Sequence, residues 1–293
     1  MHRSRRKFLK QASLLAAVAA APNHLRAAAS ASQCQFGLVT YLWGKDLSLD
    51  ELLSACESSQ VLGIELRTTH QHGVERDLSA AQRADVKRRF ADSPVTLVGI
   101  GSNERFDNPD TNVVRAAVDA SKDFIRLSHD VGGSGVKVKG DRFYDDVPRE
   151  KTIDQVTAAL RELGNFANDF DQQVRLEVHG GFRDLTVHHE IIKRTNHPRV
   201  RTCWNSNPTD LQGAGLASNF ALVRDYFGAT AHIRQLDDDN YPWADLMRLF
   251  IQSKYDGWVL LEAHGKIPKQ EVVHRLSEQR QRFQELVVEA TKQ

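Results

Sequence analysis

Short runs in which apolar and polar residues alternate give way, again and again, to longer runs in which apolar residues recur every three or four positions. The first pattern suits a strand with one apolar face, the second a helix with one apolar stripe. Strands are predicted over 36–43, 62–67, 95–100, 135–139, 174–179, 200–204, 229–234 and 258–262. Helices are predicted to open at Ser48 and Ser79, to span 112–131, 184–195, 210–226 and 269–289, and to start beyond Pro242, where proline is tolerated. Between the fourth and fifth strands, Ile153, Val156, Ala159, Leu160, Leu163, Phe166 and Phe170 form one helical stripe. Ser48 with Glu51, and Ser79 with Gln82, have the spacing of a capping box. Eight strand–helix units with short connections predict an α/β fold, a (β/α)8 barrel. A doubly wound sheet is the alternative, but no glycine-rich phosphate loop follows any strand.

The stretch RLEVHGG, 175–181, gives the barrel its interior. Val174, Leu176 and Val178 alternate with Arg175, Glu177 and His179 on a strand covered by helices, so the charged set must line the barrel or its mouth. In the same register, Glu65 and Arg67, Lys137 and Lys139, Arg201, Cys203 and Asn205, His232 and Arg234, and Glu262 and His264 face inward. Active sites of such barrels lie at the C-terminal strand ends. That selects Arg67, Lys139, Glu177, His179, Asn205, His232, Arg234, Glu262 and His264. Arg175 and Arg201, lower on their strands, are expected to pair with carboxylates inside the barrel. Glu177, Asn205, His232 and Glu262 come from strands 5 to 8 and make an oxygen-rich donor set for a divalent cation such as Mn²⁺, Mg²⁺ or Zn²⁺. Trp204 points outward by register. Trp43 and Trp243 are candidates to stack on a ligand ring, and Arg183, just past the glycine pair, to reach an anionic group. Asp237, Asp238 and Asp239 suit either a helix cap or a ligand contact, and His188 and His189 are expected on the surface of helix 5.

Composition narrows the setting. The chain has 293 residues, 41% hydrophobic and 26% charged, with a formal net charge of +1, so no global attraction to nucleic acid or to a membrane surface follows. Ser4-Arg5-Arg6-Lys7-Phe8-Leu9-Lys10, a short apolar run over 12–21 and Ala27-Ala28-Ala29 resemble a twin-arginine export signal cleaved after Ala29. The apolar run is too short for a stable membrane anchor. Residues 1–29 are thus expected to be a signal peptide read by the twin-arginine export machinery. Residues 30–293 then form one barrel domain in the periplasm or otherwise outside the cytoplasm. Three cysteines, Cys34, Cys56 and Cys203, are too few and odd in number for a disulfide framework.

GIELR (63–67), GSNERFDNPD (101–110), KVKGD (137–141), LEVHGG (176–181), CWNSNPTD (203–210), AHI (231–233) and LLEAHG (260–265) resemble the xylose-isomerase-like barrels of sugar isomerases and epimerases. The resemblance covers about residue 36 to the C-terminus. It implies metal ligation by Glu177, His232 and Glu262, with the two glutamates serving as acid and base beside a carbonyl and the metal stabilising the enediolate. Arg67, Lys139, His179, Arg183 and His264 would then bind substrate. Strand 6 departs from the family: Asn205 stands where an Asp is usual, and Pro208 where a His is usual. Asn205 can ligate through its amide oxygen, with one negative charge fewer. Glu65, Glu177 and Glu262 face Arg67, Lys137, Lys139, Arg175, Arg201 and Arg234, a cation surplus that calls for an anionic ligand, or for Lys139 and an arginine to take over part of the metal's role. The expectation is a metal-assisted isomerase or epimerase for a small sugar or sugar acid. A keto-sugar or keto-inositol lyase or dehydratase, and a non-catalytic carbohydrate-binding barrel with a degenerate metal site, are the alternatives. A phosphodiester-cleaving enzyme of this barrel type would need more His and carboxylate ligands than the strands offer.

Overall fold

A computed structural model describes residues 34–292; the proposed signal, 1–29, lies outside them. Eight parallel strands close into a barrel in chain order. They are β1 (Gln35–Val39), β2 (Gly63–Arg67), β3 (Thr96–Arg105), β4 (Gly135–Lys139), β5 (Gln173–Glu177), β6 (Val200–Asn205), β7 (Phe227–Ile233) and β8 (Trp258–Leu261). The helices between them are α1 (Leu49–Ser59), α2 (Ala80–Ala91), α3 (Thr111–Val131), α4 (Arg149–Asn168), α5 (Leu185–Thr195), α6 (Leu216–Val223) and α7 (Trp243–Gln252), with α8 (Val272–Thr291) at the end. Both capping boxes form as expected, at Ser48 with Glu51 and at Ser79 with Gln82. Among the described residues no helix is long and apolar enough to cross a membrane.

Two layers of side chains separate because parallel strands buried on both faces turn alternate residues to the helices and to the interior. The outward set, such as Ile64, Leu66, Val138, Leu176, Trp204 and Ala231, joins the helix stripes in one apolar shell. Trp204 is fully buried against Phe220 and Phe227, with ring centroids 5.5 and 5.9 Å away. The inward set is only locally apolar: Val39, Val98 and Leu260 form a small separate cluster inside the barrel. Cys34, Cys56 and Cys203 are free and buried, acting as small hydrophobes.

Below that, Arg175 is fully buried without the carboxylate partner the sequence suggested. Its guanidinium donates to Gln173 Oε1 at 3.1 Å, the Val98 carbonyl at 3.3 Å and Ser134 Oγ at 2.6 Å. Arg201 likewise donates to the Phe227 and Asp225 carbonyls, at 3.1 and 2.9 Å. A long side chain low in the barrel reaches strand-end carbonyls before it reaches a glutamate at the mouth.

Other expectations change for local reasons. The helix predicted over 210–226 breaks into a 3-10 turn at Pro208–Leu211, α6, and a 3-10 turn at Arg224–Tyr226. Gly213 and Gly215 take φ of +61° and +83° between the first two, a left-handed backbone that ends a helix. His188 is fully buried, not on the surface, with Nε2 3.2 Å from Thr202 Oγ1. It lies on the same face of α5 as the buried Ile191, Ile192 and Thr195, so helical periodicity carries it inward. Burial, helped by His189, pushes its imidazole down to about 3. Asp237 pairs with Arg275 and Gln279, and Asp238 binds Asn240; α7 starts after Pro242 without a side-chain cap.

Asp210, in the turn after β6, accepts the Asn207 N–H and the Tyr241 hydroxyl on Oδ2, each at 2.7 Å, while Oδ1 is buried without a partner. Burial, only partly offset by those hydrogen bonds, pushes the carboxyl up to about 7 from 3.8. A raised carboxyl contributes stability that is complete below pH 4 and lost as pH rises through 7. Asp210→Asn is therefore expected to gain on wild type by on the order of 2–4 kcal/mol between pH 4 and pH 7.5 in urea unfolding. A pH-independent difference would show that the carboxyl titrates normally.

Candidate active site at the barrel mouth

The C-terminal strand ends open into a cavity of about 230 Å³ lined by Tyr41, Arg67, Lys139, His179, Gly180, Arg183, Asn205, Asn207, Arg234, Glu262 and His264. The five residues assigned to substrate by the resemblance, Arg67, Lys139, His179, Arg183 and His264, are all in that lining. The alternation put them there: Arg67 and Lys139 end β2 and β4, and Glu262 and His264 continue the inward register of β8. Glu177 and His232 lie beneath, 1% and 0% exposed, so of the two predicted catalytic glutamates only Glu262 faces the cavity.

Beneath the cavity floor the charges are tightly connected. Lys137 Nζ stands 2.9 Å from Glu177 Oε2, both side chains buried. The other carboxylate oxygen, Oε1, accepts from Asn205 Nδ2 at 2.8 Å and lies 3.2 Å from His232 Nδ1. His232 Nε2 is in turn 3.2 Å from Glu65 Oε1. Gly101 makes room for Glu65, since a Cβ there would meet Oε1 at 2.7 Å. Burial would raise the Glu177 carboxyl, but the Lys137 charge and the His232 hydrogen bond hold it well below the usual carboxylate range. Burial would also discharge His232; Cys203 and the Glu65 and Glu177 carboxylates outweigh it and push the imidazole well above its usual value.

These residues can hold a divalent ion. One ligand atom each from Glu177, His232 and Glu262 lies within 4.8 Å of the others. Carboxylate and imidazole donors suit Mn²⁺, Mg²⁺ and Zn²⁺. Asn205 is a fourth donor only after its amide turns over, because Nδ2 faces Glu177 and also lies 3.3 Å from Glu262 Oε2.

The walls are cationic. Among the described residues, Arg67, Lys139, Arg183 and Arg234 make no ion pair, and Glu262 is the only carboxylate in the lining. Arg67 instead lies over the Tyr41 ring, 5.4 Å from its centroid, and His264 meets that ring edge-on at 5.9 Å. His179 is oriented by Asp141, which accepts from its Nδ1 and also pairs with Arg105. The Gly181 N–H binds the Asp141 carbonyl at 2.6 Å; at Gly180, φ +57°, a Cβ would stand 2.6 Å from the Asp141 backbone. The two glycines of LEVHGG thus let the loops after β4 and β5 close on each other.

Two of the aromatic expectations change. Trp43 is 3% exposed beneath Arg275, and Trp243 is 5% exposed with its indole N–H on the Asp238 carbonyl. Both belong to the apolar shell, and Tyr41 is the aromatic ring of the cavity. Tyr41 and Asp141 were findable: each continues its strand's inward register by two residues, past Val39 and past Lys139.

The sequence pattern of the xylose isomerase-like TIM barrel family matches residues 53–282. The chain belongs to this family. In fold it is similar to an L-ribulose 3-epimerase, with a TM-score of 0.74 and 15% identity over 89% of this chain and 96% of that one. It is likewise similar to the 3-keto-D-glucoside 4-epimerase YcjR of E. coli, with a TM-score of 0.70 and 15% identity over 85% and 100%. The IolI protein, solved with a bound zinc atom, gives a TM-score of 0.69 and 14% identity over 86% and 98%. No curated protein matches the chain in sequence. The family's barrel accounts for the mouth as the place of the site, and the residues found there set its charge.

Lys139 shows that this charge is costly. Burial, then the neighbouring Lys137 and Arg67, bring its ammonium down to about 8 from 10.5. Below pH 8 both folded and unfolded chains hold the proton and the penalty is constant; it shrinks as pH rises from 8 toward 10.5, where the folded chain has released its proton. Lys139→Met is expected to stabilise the protein at pH 7 by about 1–2 kcal/mol, after allowance for screening by cavity water, and by less at pH 10. Chemical denaturation at the two pH values checks this; a destabilised variant would make Lys139 a structural residue.

Proposed function

We propose that the chain is an enzyme of the sugar epimerase or isomerase type, acting on a small sugar derivative that carries an anionic group. The observation that carries this reading is the Glu177, His232 and Glu262 cluster at the floor of a cavity walled by four cations that make no ion pair among the described residues. The names of the solved structures with the same fold, two of them sugar epimerases, support the reaction class.

In this reading Arg67, Lys139, Arg183 and Arg234 hold the anionic group and orient the sugar, with Tyr41 and His264 against its ring. Glu262 is the proton-moving carboxylate on the cavity side. Glu177 is its partner across Asn205, where one amide group binds both carboxylates. A divalent ion held by Glu177, His232, Glu262 and the turned Asn205 amide would supply Lewis-acid stabilisation of the oxygen beside the abstracted proton. His179, fixed by Asp141 on another part of the wall, presents its remaining ring nitrogen to the sugar hydroxyls. A lyase would use the same first proton abstraction but then expel a leaving group from the next carbon instead of returning a proton.

The test is proton exchange at the carbon next to the carbonyl. Uronic and keto-aldonic acids, beside their neutral counterparts, are incubated with the protein and Mn²⁺ in D₂O and followed by NMR. Exchange is expected with the acidic sugars, and Glu262→Gln is expected to slow it at least about a hundredfold, as for a lost general acid–base. Exchange confined to neutral sugars would sink the anionic ligand, and full exchange in Glu262→Gln would sink the assigned base. Tight binding of a sugar acid with no exchange would favour a carbohydrate-binding barrel, a reading to which the prior pairing of Glu177 with Lys137 lends weight.

Export belongs to the same proposal, carried by the Arg5-Arg6 pair and the apolar run behind it. Replacing both arginines by lysine is expected to retain the protein in the cytoplasm, as read by cell fractionation.

A further inference from the structure

Lys137 sits where burying a charge is costly. Its side chain is fully buried in β4, and Nζ has no well-aligned hydrogen-bond acceptor, carbonyl or hydroxyl, around it. Its compensation is electrostatic, from Glu177 Oε2 at 2.9 Å. A buried ion pair of this kind gains little over an apolar pair of the same volume, so its effect on the site matters more than its effect on stability.

That effect follows from which oxygens remain free. Glu177 has Oε2 against Lys137 and Oε1 shared by Asn205 and His232. Its charge is therefore largely spent within the barrel. An entering divalent ion meets Glu262 as the more loosely held carboxylate, with Oε2 4.0 Å from His232 Nδ1 and 3.3 Å from Asn205 Nδ2. It also meets Arg67, Lys139, Arg183 and Arg234 around the cavity, none of them ion-paired among the described residues. Like charges this close in a poorly solvated site oppose one another strongly.

We propose that Lys137 is a resident counter-ion of Glu177 that holds down the affinity of the Glu177–His232–Glu262 cluster for divalent metal. This rests on the metal reading of the site given above, and it adds a residue that reading does not use. The ammonium and the metal compete for the charge of one carboxylate. Asn205 acts in the same direction, since it donates to Glu177 and Glu262 where a carboxylate would add a negative charge.

The test uses the metal alone and needs no substrate. Full-length protein stripped with EDTA and desalted is titrated with Mn²⁺ by calorimetry, with free Mn²⁺ followed by electron paramagnetic resonance. Lys137→Gln, which keeps a hydrogen-bond donor toward Glu177 while removing the charge, is expected to bind Mn²⁺ at least tenfold more tightly than wild type. Lys137→Met is expected to do the same, and Lys137→Arg, which keeps the charge, to show no gain. Asn205→Asp is expected to tighten binding independently. Without metal, Lys137→Met leaves the buried Glu177 Oε2 without its counter-charge, so the variant's melting temperature falls below wild type in EDTA and rises further than wild type's on adding Mn²⁺. Unchanged affinity in Lys137→Gln beside a gain in Asn205→Asp would overturn the role of Lys137 and leave the metal site standing. Failure of all variants, Asn205→Asp included, to bind Mn²⁺ or Zn²⁺ would remove the metal reading itself.

Discussion

Burying charge inside the barrel is the constraint on which the rest of the structure depends. Glu65, Lys137, Arg175, Glu177 and His232 are all essentially inaccessible to water. An isolated charge there would cost several kcal/mol, and each of these is tolerated because another charge or a polar acceptor stands against it. Glu65 faces His232, Glu177 faces both His232 and Lys137, and Arg175 spreads over three neutral acceptors. Removing one member alone strands its partner, so these positions depend on one another.

This lattice divides the barrel by height. At the bottom, Arg175 and Arg201 tie strand ends together through carbonyls and amide groups, and neither reaches a ligand. In the middle, Glu177 and His232 are close enough to Glu262 to share an ion but are already engaged with Lys137, Glu65 and Asn205. At the mouth, among the described residues, Arg67, Lys139, Arg183 and Arg234 make no ion pair, and a cavity of about 230 Å³ holds them around Glu262. Charge is thus balanced where water is excluded and left unbalanced where a ligand can enter, the arrangement expected of a binding site rather than of a stabilising network.

Contacts between loops tie the mouth together. Asp141 binds His179 through its side chain and Gly181 through its carbonyl, while Arg105 from β3 pairs with its carboxylate. Histidine, aspartate and arginine from three successive strand ends are therefore joined in one network. Burial, opposed by the His179 hydrogen bond and by the His179, Lys139 and Arg105 charges, leaves the Asp141 carboxyl lowered to about 2, so it stays ionised and holds His179 across the neutral range.

By itself, the amino-acid sequence determined the barrel, the order of its elements and which face of each strand looks inward, because the two periodicities, 2 and 3.6, are local properties of the backbone. It therefore placed Arg67, Lys139, His179, Asn205, Glu262 and His264 together, with Arg183 just past the glycine pair, and two more steps of the same register reach Tyr41 and Asp141. It also determined the unusual content of the sixth strand, where Asn205 stands in the ligand series. Height in the barrel, partner choice and the break in the sixth helix were decided only by the tertiary structure. Register says that Glu177 and Glu262 point inward, but only closure of the barrel puts one beneath the floor against Lys137 and the other in the cavity. Trp43 and Trp243 could not be separated from a sugar-stacking ring by pattern, since an indole serves equally well in an apolar shell. The buried His188 could have been, because it repeats the stripe of its helix. Pairing among charges is a through-space property of residues 28 to 167 positions apart, as in Glu177 with Asn205 and Glu65 with His232, and no local periodicity encodes it.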